Sequence, residues 1–515
     1  MAMAACAFIA SLYGQASAQN PPPLGPVQQL TERLDRLERD NAAARAENVR
    51  IEGIIRERFP DLKLGLVPTS STPNAAPAGV TPAGSLSPQS PLQAPDSNAA
   101  SIPVSGDPCA PPATGLAKFV ERLGTFYDHG FVLMESSDPE RIPFKLVVGN
   151  FAQVRYTNTQ LDSLTFVDHL GEVRPVNPRN DFSFNRDLLA FTGYAFDPKL
   201  QYNIILWSSG SLASVVGAGG FTYQFCKEFG LSGGYNALPG SRSLLGGYKD
   251  LAGIDRSMAD TFFRPGFTQG VWASGEATEG LFYSIMIGNS LNTLNIGTKK
   301  IDTNLAYSGS VWWEPLGQYG PIQAVNDLEK HQSPVIRLGT CLTHSREDRF
   351  SDETVDSPDN IQIYNSDGVL FFSTGSLAPG VTIDLANYTM WAIDGGWKYN
   401  GCSVNGQYFF RWLDGFRADG PLPISSTFDN GFEASIGCFF WPTVELYART
   451  SFVFGQFRDS HEVCGGFNWY PLENRGLRVV GEVGKVDQSP VGNIITPYQA
   501  GMSGWMFLLQ AQLNF

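Results

Sequence analysis

The last eleven residues, Trp505-Met506-Phe507-Leu508-Leu509-Gln510-Ala511-Gln512-Leu513-Asn514-Phe515, decide the fold class. Trp505, Phe507, Leu509, Ala511, Leu513 and Phe515 occupy every second position, opposite Gln510, Gln512 and Asn514. Successive side chains of a strand point to opposite faces, so this is a strand with one apolar and one polar side. A strand of a buried sandwich alternates in the same way, and the distinction comes from the rest of the chain.

Working back from this strand to Phe144, runs of about ten residues rich in aromatic and β-branched side chains recur about sixteen times, from 145 to 157 at one end to 504 to 515 at the other. Their connections alternate in length. Asp197-Pro198-Lys199, Lys227-Glu228-Phe229, Ala277-Thr278-Glu279, Tyr399-Asn400-Gly401 and Pro442-Thr443 read as tight turns, whereas 238 to 265, 289 to 303, 345 to 385, 415 to 429 and 487 to 503 are long. The stretch from Pro315 to Ser333 is long yet falls on the short-turn side. Within the run 402 to 414, Asn405, Gln407 and Arg411 lie opposite Val404, Tyr408, Phe410 and Trp412; within 443 to 454, Glu445, Arg449 and Ser451 lie opposite Val444, Leu446, Ala448 and Phe452. These patterns predict an all-β fold, a transmembrane antiparallel β-barrel of about sixteen strands. Tyr156, Trp207, Phe440, Trp441, Trp469 and Tyr470 lie near strand ends and read as interfacial girdles.

Composition fits that architecture. With 43% hydrophobic and 17% charged residues, and no run of about 18 apolar residues beyond the N-terminus, no transmembrane helix is expected. A barrel wall averages out in any hydropathy window because its lipid and lumen faces alternate. A net charge of −14 excludes the basic footprint that a nucleic-acid partner requires. Cys109, Cys226, Cys341, Cys402, Cys438 and Cys464 show no CxxC or His-paired spacing, so neither a metal nor another cofactor is expected. Buried or lipid-facing thiols are the expectation, with a disulfide between neighbouring strands left open.

Ahead of the barrel the sequence changes character three times. Residues 1–18, ending in Ala16-Ser17-Ala18, read as a secretory signal peptide that lacks the usual basic region, since no Lys or Arg precedes Arg33. In 19–59, Val27, Leu30, Leu34, Leu37, Asn41, Ala44, Asn48, Ile51 and Ile55 keep a 4-3 spacing, which predicts a periplasmic α-helical coiled coil. Asn41 and Asn48 at core positions fix register and pair the segment with copies of itself; a solitary amphipathic helix is the alternative. Residues 60–124 are rich in Pro, Ala and Ser and predict a disordered, semi-extended linker, leaving 125–515 to the barrel.

Four segments carry a family resemblance: Tyr127-Asp128-His129-Gly130-Phe131, FKLVVGNFAQVRY (144–156), FSFNRDLLAFTGYAFDPKLQYNIIL (182–206) and NWYPLENRGLRVVGEV (468–483). Over roughly 125–515 the chain resembles the phosphate-selective porins O and P. The resemblance implies a sixteen-stranded outer-membrane barrel, usually a homotrimer, that passes small solutes. The terminal strand ending in Phe515 likewise resembles the signal read by the barrel assembly machinery. One departure concerns phosphate: where the family often carries Arg-x-Arg, this chain has Arg186-Asp187-Leu188.

Alternation assigns Arg155, Arg186, Arg337, Arg411, Arg449 and Arg478 to the lumen, with Glu433, Glu445 and Glu482 on the same faces. The segment 238–265, expected to fold into the barrel as a constriction, sets Arg242, Lys249, Arg256 and Arg264 against Asp250, Asp255 and Asp260. Cations outnumber anions on the wall, which predicts a weak preference for anions, and guanidinium suits phosphate or carboxylate oxygens. The competing reading pairs these arginines with the glutamates and stiffens the wall. His129, His169, His331, His344 and His461 stand in no recognisable nucleophile context, so an enzyme is not expected. A structural anchor that tethers the envelope through the coiled coil is the remaining alternative.

Overall fold

A strand surrounded by hydrocarbon has no water for its backbone N–H and C=O groups, so a sheet there must close on itself. The computed structural model of this protein shows that closure. It describes residues 127–515, apart from Pro139, 211–213, Asn295, Thr298, Lys299, Asp302, Thr303, Ile322, Gln323, Asp352, Glu353, Asn493 and Ile494. The expected signal, coiled-coil and linker segments lie outside the described residues.

A short strand β1 (Phe131–Glu135) leads into β2 (Phe144–Leu161), and a small hairpin of β3 (Thr165–Val167) and β4 (Val173–Pro175) follows. The wall continues with β5 (Asn180–Ala195), β6 (Asp197–Ser209), β7 (Ser214–Cys226), β8 (Phe229–Ala237), β9 (Phe267–Thr278), β10 (Leu281–Gly288) and β11 (Ala306–Trp313). It is completed by β12 (Val335–Asp348), β13 (Ile383–Tyr399), β14 (Cys402–Ala418), β15 (Ser426–Trp441), β16 (Val444–Phe454), β17 (Ser460–Trp469), β18 (Leu477–Asp487) and β19 (Gly504–Asn514). Each wall strand pairs antiparallel with its neighbour, and β19 pairs with β2 from Gly504↔Leu161 to Asn514↔Phe151, closing a barrel of 16 strands. β1 is an addition at the foot of β2, pairing Phe131 with Val148. No helix among the described residues is long and apolar enough to cross a membrane.

The wall turns its apolar side outward. On β19, Trp505, Phe507, Leu509 and Leu513 are exposed while Met506, Leu508, Gln510 and Gln512 are buried. Ile393, Ile436, Val463 and Val483 repeat this exposure around the barrel, the reverse of a water-soluble sandwich. The tight turns lie at one end. Asn400 and Gly401 both have positive φ (49° and 81°), the backbone of a two-residue turn matched to strand twist, which explains Asn-Gly at that point.

Four features depart from the sequence reading. First, a bulge interrupts β5: Gln153 pairs with Arg186 and Val154 with Phe184, so Asn185 is the extra residue and both Asn185 and Arg186 are buried. Strict alternation from Arg186 would have turned Phe182 and Phe184 inward; both are exposed. Second, Trp207 and Tyr470 are not girdle residues. Trp207 lies on the inward parity of β6 with Ile205, packed with Leu188 and Leu244, and Tyr470 is fully buried beneath the 314–334 connection, bonded to Asn326. Third, Cys402 and Cys438, directly opposed on β14 and β15, form a disulfide; Cys341 and Cys464 are buried thiols and Cys226 is exposed. Cys109 lies outside the described residues. Fourth, β1 and the β3–β4 hairpin add strands the periodicity had not marked.

Because the bulge only adds one residue between two correctly facing halves, deleting Asn185 is expected to leave a folded barrel. Deleting Leu189 turns one half of β5 over and should abolish folding. Heat-modifiable electrophoretic mobility, which separates folded from unfolded barrels, distinguishes the two variants.

Candidate functional site in the barrel lumen

The connection between β8 and β9, residues 238–266, runs inside the barrel, and its only α-helix is α1 (Met258–Phe263). A short helix leaves its first N–H groups without partners. Here Ser257 caps Asp260 N at 3.0 Å, and the wall supplies the rest, with Glu462 Oε1 accepting from Met258 N (2.8 Å) and Ser451 Oγ from Ala259 N (3.2 Å). Phe262 and Phe263 pack inward, Phe263 stacking on Phe409 of β14 at 5.2 Å.

The wall arginines grip this segment. Arg155 (β2) and Arg186 (β5) both donate to Asp255, at 2.8 and 3.0 Å, and all three side chains are at most 1% exposed. Arg186 and Arg256 also lie over the ring of Tyr248, 3.9 and 4.5 Å from its centroid. Arg478 (β18) donates to three successive carbonyls, of Leu251, Ala252 and Gly253, at 2.8 to 3.1 Å. Arg411 (β14) pairs with Asp429 at 2.7 Å and reaches the carbonyls of Phe262 and Tyr364, joining α1 to the 349–382 connection. Arg449 (β16) bridges Glu462 (3.1 Å) and Glu482 (2.9 Å), and Arg337 (β12) pairs with Asp394 at 3.1 Å.

Of the carboxylates expected in the lumen, Glu482 accepts from Arg449 and Tyr447, Glu433 accepts from Ser257, and Glu445 accepts from Asn326 and Asn468. Within the in-folded segment Asp250 pairs with Arg475 at 2.9 Å, and Asp260 accepts from Ser243 and faces Arg256 (3.5 Å) and Arg264 (3.9 Å). Arg242 donates to the carbonyl of Ala324 at 3.2 Å, and the carbonyl of Lys249 accepts from Arg478. Between this segment and β14–β16 remains a cavity of about 60 Å³, lined by Arg242, Arg256 and Arg449, by Asp255, Asp260 and Glu433, and by apolar groups such as Leu251 and Val325. That is room for a few water-sized molecules.

The count behind the expected cation excess needs correction. Asp394, Asp429 and Glu462 were missed, and among the buried side chains of the described residues carboxylates slightly outnumber cations. The signal for two of them was present, since Asp394 and Glu462 lie on the polar parity of their strands, as Arg337 and Arg449 do on theirs. Asp429 fell one residue before its expected run. Glu347 was also missed: it accepts from Ser290, Leu291 N and Asn360, fastening two outer connections to the wall without a cation.

At the opposite end from the tight turns, His169 Nδ1 meets Asp367 Oδ2 at 2.6 Å while its ring stacks on Phe457 at 3.9 Å, joining three outer connections. Burial pushes the Asp367 carboxyl up, but the hydrogen bonds from His169 prevail and hold it below the usual range.

The chain matches no family model and no curated protein. Among solved structures it is similar to outer-membrane expressed OmpT of Vibrio cholerae, at 12% identity and a TM-score of 0.46, with 75% of this chain and 100% of that chain covered. It is similar to the anion-selective porin from Comamonas acidovorans at 10% identity and a TM-score of 0.44, covering 72% and 100%. Salmonella typhi OmpF in complex with daunomycin matches at 11% and 0.42, covering 72% and 98%.

Replacing Asp255 by Asn strands two buried guanidinium groups without a carboxylate, which costs on the order of 3–5 kcal/mol. The expected result is a lower denaturant midpoint together with protease cleavage inside 238–266. The contact at Asp367 should persist at neutral pH and disappear as the pH falls through its depressed value, since a lowered folded-state pKa stabilises only above it. Proteolysis of the outer connections as a function of pH measures this.

Proposed function

We propose that the protein is an outer-membrane channel for passive diffusion of small hydrophilic solutes. One observation carries the reading: a closed barrel with exposed Leu, Ile, Phe and Trp around its outside and Arg, Asp, Glu, Gln and Ser lining its inside. Such a wall suits lipid on one face and water on the other. Function in a pore is a radius and a field, so no bond is made or broken and no catalytic residue is assigned. The in-folded segment with its arginine anchors is the constriction. The barrel assembly machinery inserts the chain through its terminal strand, copies associate as homotrimers, and the N-terminal segment lies in the periplasm.

Weak preference for anions, phosphate among them, belongs to the same reading. Arg242 and Arg478 donate to carbonyl and amide oxygens, which leaves their charge less cancelled than that of Arg155 or Arg449. The carboxylate pairs elsewhere keep the preference weak.

In planar bilayers the purified full chain should give discrete conductance steps and, across a KCl gradient, a reversal potential on the anion side. Arg242→Ser should move that potential toward zero. The second reading, an anchor that tethers the envelope through its coiled coil, draws on the dense filling of the lumen by Phe262, Phe263, Phe371 and Phe372, all at most 2% exposed. An anchor yields a folded barrel with no conductance steps.

A further inference from the structure

We propose that the cavity between the in-folded segment and β14–β16 is a binding site for a small α-amino acid zwitterion, of glycine to alanine size. Most of the charged groups on its wall are already matched. Asp255 is held by Arg155 and Arg186, Arg449 by Glu462 and Glu482, and Arg256 faces Asp260. Arg242 and Glu433 are the exceptions. Arg242 donates to the carbonyl of Ala324 and lies 5.3 Å from the centroid of the Tyr319 ring, and Glu433 accepts from the hydroxyl of Ser257. Neither joins an ion pair among the described residues, so the cavity presents one cation and one carboxylate that lack a charged partner.

Gln407 of β14 supplies a second, independent observation. Its side chain lines the cavity at 4% exposure, and neither Oε1 nor Nε2 has a hydrogen-bond partner; among the described residues it is the one buried side-chain amide with both ends unmet. Its neighbour Asn405, by contrast, accepts from the Tyr319 hydroxyl at 2.6 Å and donates to the carbonyl of Val325 at 2.8 Å. A buried amide without partners is costly, and this one offers a donor and an acceptor side by side. It stands directly opposite Glu433 in the β14–β15 register, beside the unmatched carboxylate. A lone anion or a lone cation would satisfy half of this wall. An α-amino acid satisfies both halves: its carboxylate accepts from Arg242 and Gln407 Nε2, and its ammonium donates to Glu433 and Gln407 Oε1. Size sets the rest. About 60 Å³, at about 10–15 Å³ for each water-sized group, holds about four to six non-hydrogen atoms. Leu251 and Val325 on the wall then meet a methyl group.

The inference rests on the channel reading above, and the test separates the two. Full-length chain is inserted in a planar bilayer bathed in KCl, and alanine, acetate or methylammonium is added on one side. Alanine should reduce the current saturably, and acetate and methylammonium, each engaging half of the site, should need about tenfold higher concentrations. Gln407→Leu should raise the half-blocking concentration of alanine about tenfold. Arg242→Gln should remove the preference for alanine over methylammonium, and Glu433→Gln the preference over acetate. Those two opposite changes are not expected from a loosened lumen, and heat-modifiable mobility shows whether each variant has folded; where one has not, the three solutes on the unaltered chain decide. Conductance steps that alanine leaves unchanged, or that acetate or methylammonium reduces equally well, overturn the site and leave the channel reading in place. Absence of conductance steps overturns both.

Discussion

The pairing of β19 with β2 is the constraint on which the rest depends. Sixteen strands without that last row would leave two edges of unpaired N–H and C=O groups, which neither lipid nor a lone protein in water tolerates well. Once the ring is closed, the two-residue period of each strand acquires a fixed meaning. One parity faces outward and the other faces whatever fills the lumen. The bulge at Asn185 shows how strictly this is kept: the strand absorbs an extra residue so that Phe182 and Phe184 stay outside and Arg186 stays inside.

What fills the lumen is held by arginines. Their planar guanidinium groups carry several donors in a fixed fork, so one side chain can grip a carboxylate and a carbonyl at once. Arg411 does this with Asp429 and two carbonyls of different connections, and Arg478 reaches along a stretch of backbone that has no helix to satisfy it. A buried charge pair is weak evidence for stability by itself, because desolvation offsets much of the Coulomb attraction. Its value here is geometric: Asp255 between Arg155 and Arg186 specifies where the in-folded segment touches the wall. The same pairing reduces the field that unpaired arginines would project into the lumen.

All sixteen wall strands were visible as runs, because parity in a barrel wall is a local property and survives with only small errors at the ends. The long connection from Pro315 to Ser333 on the short-turn side was legible for the same reason. Trp207 was misread because an aromatic near a strand end has two destinations, and parity rather than position selects between them. The cysteines gave no sign of pairing: Cys402 and Cys438 are 36 residues apart, and only the β14–β15 register sets them opposite each other.

The sequence by itself determined the fold class, the strand order and the face of wall residues away from the β5 bulge, since these follow from a period of two and from turn chemistry between neighbours along the chain. Tertiary structure alone decided which charges meet. Arg155 and Asp255 are 100 residues apart, and Arg478 and Leu251 are 227 apart; no local pattern relates them. Their encounter exists because closing the ring leaves a space that the 238–266 segment enters, and once it is inside, Asp255 and the carbonyls of 251–253 meet arginines of the wall.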